Sequence, residues 1–272
     1  ADGVRPKVTL CAVPGQAEAA ELVTGDGEPA RWSPYGAYLA EGNPSDIKAV
    51  AERRAGVQDE ASQLAALALT RADACGPDTR WLDLSAGPGG KARLLAGLAA
   101  GRGAHLVASD VRPHRAGLVR AVTAITGRAG VVVADGTAPA WRPGTFDRVL
   151  ADVPCSGLGA LRRRPEARWR RTPADVAGLG ALQRALLGSA LDAVRPGGVV
   201  AYVTCSPHLA ETRDIVAAVN WERDDIEVLD APALLPEVPD LACAADGGRY
   251  AQFWPHRHGT DAIFLALLRR TT

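Results

Sequence analysis

The stretch RWLDLSAGPGGK, residues 80–91, reads as a short apolar strand that runs into a glycine-rich turn and the start of a helix. Glycines let the backbone approach a ligand closely, and the N-terminus of the following helix favours electron-rich groups. A phosphate-binding P-loop is excluded, because its first glycine would fall on Ser85 and Ala92 follows Lys91 where Ser or Thr is required. The stretch therefore predicts a ligand-binding unit of an α/β fold.

Two classes of ligand are compatible with this loop. A dinucleotide fingerprint fits loosely through Gly87, Gly89 and Ala92, with Asp110 about 20 residues further on. An S-adenosylmethionine loop also fits, with Asp110 at the end of the next strand placed to hold the ribose hydroxyls. A tight turn without a ligand is the third possibility, and the loop alone does not choose among them.

Outward from the loop, short apolar segments alternate with amphipathic ones. We predict strands at Arg80–Leu84, Ala104–Ser109, Gly130–Ala134, Phe146–Ala151, Val199–Val203, Ile226–Leu229 and Ile263–Leu268. We predict helices over residues 57–72, 90–99, 113–126, 173–194 and 209–219. This alternation predicts βαβ units and a mostly parallel sheet with an antiparallel last strand. Ligands of such sheets bind outside the carboxyl ends of the strands.

The first 55 residues have a different pattern. They are rich in Pro and Gly, with a predicted strand at Lys7–Val13 and predicted helices at Ala17–Val23 and Pro44–Arg54. We therefore predict a small α+β domain over residues 1–55 and a Rossmann-like domain over residues 56–272. The chain contains no Met, even at position 1, so we expect further protein upstream.

Charge and hydropathy exclude several functions. Lys and Arg number 31, as do Asp and Glu, so any nucleic-acid binding must rest on a local basic patch. No apolar run approaches the roughly 20 residues of a membrane span, and no N-terminal segment has the pattern of a secretory signal. We expect a cytoplasmic protein that does not bind a membrane.

Five cysteines stand far apart, at positions 11, 75, 155, 205 and 243. None belongs to a CxxC pair, so we expect free thiols and no metal site. Two of them directly follow predicted strands: Cys155 in DVPCSG, residues 152–157, and Cys205 in TCSP, residues 204–207. Two thiols at the ligand edge of a parallel sheet indicate chemistry rather than packing.

Two thiols beside a methyl donor suit the methylation of a pyrimidine. C5 of cytosine is a poor nucleophile, but a thiolate that adds to C6 makes an enamine whose C5 can attack a methyl sulfonium. An ordinary Cys has a pKa of about 8.5, so a neighbouring cation such as Lys91 would favour the thiolate. Asp152 is placed to act as an acid at N3, and the second thiol would assist elimination.

The ordered motifs resemble the RsmB/Sun (Fmu) family of RNA cytosine-5 methyltransferases. The resemblance is carried by DLSAGPGGK, DVPCSG and TCSPHLAE, with VQDEASQLAAL upstream and FWPHRHGTDAIFLAL near the end. It spans residues 56–270 and implies a class I S-adenosylmethionine-dependent methyltransferase fold. It also implies a NusB-like RNA-binding domain upstream of residue 1.

The resemblance assigns roles to individual residues. Cys205 would be the nucleophile and Cys155 would aid product release, with Asp152 and Lys91 as further catalytic groups. The implied cofactor contacts are Ser85, Ala86, Gly87, Pro88, Gly89, Gly90, Lys91, Asp110, Asp135 and Asp152. DNA cytosine methyltransferases instead use a Pro-Cys cysteine as nucleophile, so the roles of the two thiols need a test.

Three short segments depart from the family motifs. The usual DLCAAPGGKT is DLSAGPGGKA at residues 83–92, the usual EN after TCS is Glu211-Thr212, and the usual DGFF is DAIF at residues 261–264. None of these changes removes a catalytic group.

An arginine-rich segment follows Cys155. Residues 161–171, LRRRPEARWRR, hold six Arg and one Trp. The guanidinium group of Arg can bind a phosphate through paired hydrogen bonds, and Trp can stack on a base. The alternative is that the segment is a solvated loop without a ligand. The predicted RNA contacts are Arg162, Arg163, Arg164, Arg168, Trp169, Arg170 and Arg171.

The sequence thus predicts an enzyme that transfers a methyl group from S-adenosylmethionine to C5 of a cytosine in RNA. We expect 16S ribosomal RNA as the substrate, with transfer RNA as the alternative, and a monomer without metal. Two other functions stay open. An NAD-dependent oxidoreductase would leave both cysteines unexplained, and a non-catalytic RNA-binding factor of ribosome assembly would keep the fold without turnover.

Overall fold

The structure, a computed structural model, describes residues 3, 5–138, 140–242 and 247–272, so Cys243 lies outside the described residues. Four strands form a first sheet: β1 Val8–Ala12, β2 Glu28–Pro29, β3 Gly36–Leu39 and β4 Ala55–Val57. Eight form a second: β5 Arg80–Asp83, β6 His105–Asp110, β7 Ala129–Val133, β8 Phe146–Asp152, β9 Val194–Thr204, β10 Ile226–Val228, β11 Ala251–Gln252 and β12 Phe264–Arg270. The α-helices are α1 Lys48–Ala51, α2 Glu60–Arg71, α3 Gly90–Gly101, α4 Pro113–Thr123, α5 Ala167–Arg170, α6 Pro173–Ala193, α7 Arg213–Glu222 and α8 Pro255–His258.

The second sheet has the strand order β10-β12-β9-β8-β5-β6-β7, and β11 also pairs with β12. Strands β9, β8, β5, β6 and β7 are parallel to one another. β12 lies between β10 and β9 and is antiparallel to both. The predicted mostly parallel sheet with an antiparallel last strand is confirmed.

Helices cover both faces of this sheet, so the central residues of its strands are mostly apolar. Successive residues of β9 enter opposite cores because side chains alternate along a strand. Val199, Ala201 and Val203 join the core that contains α2 and α3, whereas Val200 and Tyr202 join the core that contains α6 and α7.

One difference from prediction in this sheet concerns the segment Arg195-Pro196-Gly197-Gly198, which we expected to separate a helix that ends at residue 194 from a strand that begins at Val199. α6 ends at Ala193 and β9 begins at Val194, so the segment belongs to the strand. A Cβ at Gly198 would lie 2.6 Å from Val194 Cγ2 and 2.7 Å from the Asp147 carbonyl oxygen. The close approach of the chains requires the glycine.

The first sheet has the order β2-β3-β1-β4 and is antiparallel throughout. The strand predicted at Lys7–Val13 is β1, but the helix predicted at Ala17–Val23 is only a 3-10 turn, Ala19–Leu22. The helix predicted at Pro44–Arg54 divides into a 3-10 turn, Pro44–Asp46, and α1. β4 pairs with β1, so the predicted domain boundary after residue 55 cuts a strand of this sheet.

Glu60 joins the two sheets. It lies in the first turn of α2, and its buried carboxylate accepts hydrogen bonds from the Trp32 and Ser33 N–H groups and from the Tyr38 hydroxyl. All three donors belong to the β2–β3 region of the small sheet. Among the described residues, we find no helix with the length and apolar character needed to cross a membrane.

Candidate active site

The predicted site residues meet at one edge of the second sheet. β9, β8, β5 and β6 are parallel neighbours, so the loops after their carboxyl ends lie side by side. Cys205 follows β9, Asp152 ends β8 with Cys155 just beyond it, and Asp110 ends β6. This edge is where open α/β sheets bind ligands.

Cys155 and Cys205 are in contact although 50 residues separate them in the sequence. Their sulfurs lie 3.1 Å apart, and both are free, partly buried thiols. Gly159 brings the two loops together, because its N–H donates to the Cys205 carbonyl at 2.9 Å. A Cβ at this position would lie 2.0 Å from the Ala262 carbonyl oxygen, so only glycine allows the approach.

The charges around the thiols make them unequal. The hydrogen bond from Cys155 lowers the pKa of Cys205 and Lys91 acts in the same direction, against burial, Asp152 and Asp261. The same hydrogen bond, together with burial, raises the pKa of Cys155. The two pKa values are therefore shifted in opposite directions, and the shift on Cys205 favours its thiolate.

Lys91 and Asp152 form an ion pair beside the thiols, with Lys91 Nζ 2.9 Å from Asp152 Oδ2. Burial acts to lower the pKa of Lys91, but the charge and hydrogen bond of Asp152, together with Cys205 and Asp83, outweigh burial and the pKa is raised. The proton of the pair therefore stays on Lys91. The predicted role of Asp152 as an acid at N3 stays a prediction.

Asp83, the last residue of β5, is a site residue that the sequence analysis quoted but gave no role. Its side chain is fully buried, and neither carboxyl oxygen has a hydrogen-bond partner among the described residues. Burial, with the charge of Asp152 nearby, raises its pKa to about 8. The sequence feature that could have identified Asp83 as a site residue is its position at the start of the DLSAGPGGK motif.

The loop of residues 84–89 connects β5 to α3. Gly89 precedes the first turn of α3 at φ 115°, a backbone conformation that favours glycine. Asp110 accepts hydrogen bonds from the Gly87 N–H at 3.1 Å and the Arg112 N–H at 2.9 Å, and Arg115 lies beside it. A Cβ at Gly87 would lie 2.4 Å from Asp110 Oδ2, so an Ala at this position would require that carboxylate to move.

Asp135 lies in the loop after β7, the strand next to β6, so it is at the same edge of the sheet. Its exposed carboxylate accepts from the Thr137 N–H and hydroxyl, and these hydrogen bonds lower its pKa. It remains able to accept further hydrogen bonds.

The arginine-rich segment divides into two parts, and the prediction for two of its residues needs correction. Arg162 and Arg163 each form ion pairs with Asp59 and Asp261, at 2.7 to 3.0 Å, and only 8% of the Arg162 side chain is exposed. These guanidinium groups are engaged inside the protein because two carboxylates from distant segments converge on them. The sequence could not reveal that pairing.

The rest of the segment faces solvent. Arg164, Arg168, Arg170 and Arg171 are exposed, and 84% of Trp169 is exposed. Arg171 also donates from Nε to the Ser156 carbonyl at 2.9 Å, which fixes the segment next to the Cys155 loop. In the described ranges, no group of three or more His, Cys, Asp or Glu residues could hold a metal ion.

Comparisons with known proteins agree on one family. A family profile described as 16S rRNA methyltransferase RsmB/F matches residues 72–269. The putative methyltransferase Rv1407 of Mycobacterium tuberculosis is 51% identical over 277 residues, which cover 100% of this chain and 58% of that protein. Ribosomal RNA small subunit methyltransferase B of Sodalis glossinidius is 38% identical, over 79% of this chain and 46% of that protein.

The same likeness extends to solved structures. The crystal structure of PH0851 superimposes with a TM-score of 0.85 at 25% identity, covering 98% of this chain and 60% of that one. The chain thus spans 58% or less of the length of the curated relatives described above.

Proposed function

Because the chain belongs to the RsmB/F family of 16S rRNA methyltransferases, we propose that it transfers a methyl group from S-adenosylmethionine to C5 of a cytosine in ribosomal RNA. The observation that carries the proposal is the contact of two free thiols, 3.1 Å apart, beside the Lys91–Asp152 ion pair. Neither a nicotinamide enzyme nor a passive RNA-binding factor would need this arrangement.

The residues at the sheet edge suit the proposed cofactor. The loop from Ser85 to Lys91 would hold it, and Asp110 and Asp135 would accept hydrogen bonds from its hydroxyl groups. Asp83 offers a buried carboxyl group without a partner, which a polar ligand group could satisfy. Bound S-adenosylmethionine would supply an electrophilic methyl group on a sulfonium.

Cys205 is the proposed nucleophile. Its thiolate would form a bond to C6 of the cytosine, and the electron pair of the C5–C6 double bond would move toward N3. The ring then becomes an enamine, and C5 becomes nucleophilic enough to take the methyl group. The lowered pKa of Cys205 supports this role because it increases the fraction of thiolate near neutral pH.

The Lys91–Asp152 pair would supply the proton that N3 gains when C6 is attacked. Lys91 holds that proton, while Asp152, through its hydrogen bond, orients the ammonium group and can contact the base edge. We assign the pair, rather than Asp152 alone, as the acid of the addition step.

Cys155 is the proposed release residue. After C5 is methylated, the C5 proton must leave as the C6–S bond breaks, which restores the aromatic ring and the Cys205 thiolate. Cys155 lies in contact with Cys205, so that as a thiolate it would accept the C5 proton while the Cys205 sulfur leaves C6.

The exposed part of the arginine-rich segment is the proposed RNA contact. Arg164, Arg168 and Arg170 would bind phosphates, and Trp169 would stack on a base. Arg171 connects this surface to the Cys155 loop through the Ser156 carbonyl. Transfer RNA is the alternative substrate to ribosomal RNA.

Incubation with S-adenosylmethionine labelled in its methyl group and with unmodified 16S rRNA tests the proposal. We expect labelled 5-methylcytosine after digestion of the RNA, and calorimetric binding of S-adenosylmethionine but not of NAD. Transfer RNA in a parallel reaction tests the alternative substrate. Cofactor binding without label in either RNA would favour a non-catalytic RNA-binding factor, and NAD binding would favour the oxidoreductase.

A further inference from the structure

One buried carboxylate connects the loops that carry the two thiols. Glu211 ends the 3-10 turn Leu209–Glu211 after β9 and is fully buried. It accepts from the Ser156 N–H at 2.7 Å, the Ser156 hydroxyl at 2.5 Å and the Ser206 hydroxyl at 2.6 Å. Ser156 directly follows Cys155 and Ser206 directly follows Cys205, so Glu211 holds the residue next to each thiol.

Two more side chains complete the arrangement. Gln183 on α6 donates from Nε2 to Glu211 at 3.2 Å and to the Pro154 carbonyl at 2.9 Å, on the other side of Cys155. The Tyr202 hydroxyl donates to the Glu211 carbonyl at 2.8 Å. Glu211 is thereby fixed by β9 and α6 as well as by the two thiol loops.

The chemistry of this carboxylate is unusual for a structural residue. Among the ion pairs of the described residues none involves Glu211, so hydrogen bonds alone satisfy its oxygens. A buried carboxylate is costly unless its lone pairs are met, and a hydrophobic residue could fill the same space at less cost. What the carboxylate provides is a connection between the two loops. Each of its oxygens accepts a hydrogen bond from the Cys155 loop, and Oε2 also accepts one from the Cys205 loop.

We propose that Glu211 is a positioning residue that sets the contact between the Cys155 and Cys205 sulfurs. This inference rests on the proposed function, because the contact matters only if the two thiols act in one reaction. Its mechanism is geometric: loss of the carboxylate would free Ser156 and Ser206 from each other, and the two thiol loops would separate.

The reactivity of Cys205 in the free protein provides a test that needs neither RNA nor cofactor. The charged or titratable groups that act on this thiol are Cys155, Lys91, Asp152 and Asp261. If the loops separate, the hydrogen bond from Cys155 is broken, and the pKa of Cys205 rises toward that of an ordinary thiol. Each unit of such a rise slows alkylation at neutral pH by about tenfold.

The experiment follows iodoacetamide alkylation of the Cys205 peptide by mass spectrometry from pH 5 to 10. We expect Glu211→Gln to move the midpoint upward and to slow the reaction at pH 7 by at least about threefold, as Cys155→Ala should. Glu60→Gln is the matched control, since it alters another buried, hydrogen-bonded carboxylate and should leave the midpoint unchanged. Ser206→Ala repeats the test through a single hydroxyl if Glu211→Gln does not fold.

An unchanged midpoint in folded Glu211→Gln and Ser206→Ala would overturn the inference, as would an equal shift in Glu60→Gln. The outcome is distinct from that of the methylation assay. A wild-type protein that methylates no RNA, yet shows the midpoint shift in Glu211→Gln, would contradict the proposed function and leave the positioning role of Glu211 intact.

Discussion

The two thiols are chemically distinct although each follows a strand in a similar Cys-Ser sequence. Either sulfur could donate the hydrogen bond between them, and this bond is the main cause that lowers the pKa of Cys205, with Lys91 acting in the same direction against burial and Asp152. Cys155 then keeps its proton and donates. The asymmetry therefore arises from the neighbours of each thiol and not from its own motif.

This asymmetry predicts different phenotypes for the two alanine variants. Cys205→Ala should abolish both methyl transfer and the covalent RNA adduct, because C5 is not activated without addition at C6. Cys155→Ala should still form the adduct but release it slowly, so that a slow-migrating protein–RNA band accumulates on a denaturing gel when S-adenosylmethionine is present. Cys75→Ala, which changes an exposed thiol, is the control and should behave as wild type.

The opposite pattern would reverse the assignment. An adduct that accumulates in Cys205→Ala and not in Cys155→Ala would make Cys155 the nucleophile, as in the DNA cytosine methyltransferases. If both variants keep full activity, the covalent mechanism is wrong.

At the scale of elements, sequence patterns predicted the second sheet well and the first sheet poorly. Most strands of the second sheet are largely apolar runs of four or more residues separated by helices, and this pattern can be recognised in the sequence. The two-residue strand β11 was not predicted. β2 and β4 have only two and three residues, too few to show any alternation. Their pairing with β3 and β1 depends on contacts across the sheet.

The candidate site shows the same division. The glycine loop and both cysteine motifs are local in sequence and could be placed at strand ends. The ion pairs of Arg162 and Arg163 could not be predicted, because Asp59 and Asp261 are about 100 residues away in opposite directions. The hydrogen bonds from Ser156 to Glu211 could not be predicted either, because they form only when the chain folds.

The two parts of the arginine-rich segment should respond differently to mutation. Replacing Arg164, Arg168 and Arg170 with Ala should weaken RNA binding and flatten the dependence of log affinity on log salt by about 0.7 for each phosphate that the variant no longer binds. The measurement is filter binding of RNA across a range of salt concentrations, with calorimetry to check that cofactor binding is unchanged.

Arg162→Ala provides the contrast within the same segment. It leaves Asp59 and Asp261 short of a partner in a buried cluster, so we expect a loss of stability of about 3 kcal/mol rather than a change in salt dependence. A triple variant with the wild-type salt slope would indicate a solvated loop. If folded Arg162→Ala shows a flatter slope of log affinity against log salt, Arg162 contacts RNA as the sequence predicted.

At the scale of the whole molecule, polar clusters join segments that the sheets alone would leave separate. The cluster of Asp59, Arg162, Arg163 and Asp261 ties the start of α2 to the arginine-rich segment and to the entry of β12. Glu60, the next residue after Asp59, ties α2 to the small sheet. The arginine-rich segment, the small sheet and the thiol edge are thereby held in one arrangement.

Asp83 makes the stability of this whole arrangement depend on pH. Burial raises its pKa to about 8, whereas an Asp in the unfolded chain titrates near about 3.9. Between these values the folded protein holds a proton that the unfolded chain has released, so the free energy of unfolding falls as the pH rises. The fall should begin near pH 4 and end near pH 8, with a total of about 6 kcal/mol as an upper limit.

Asp83→Asn should remove this dependence, because the amide does not titrate and resembles the protonated carboxyl in size. Urea unfolding of the cofactor-free protein at pH 5, 6, 7 and 8 measures it, and we expect the advantage of Asp83→Asn over wild type to grow with pH through this window. Asp214→Asn, at an exposed position on α7, is the control and should follow wild type. Parallel curves for Asp83→Asn and wild type would mean that Asp83 is ionised in the folded protein at neutral pH, and that Lys91 outweighs the effect of burial.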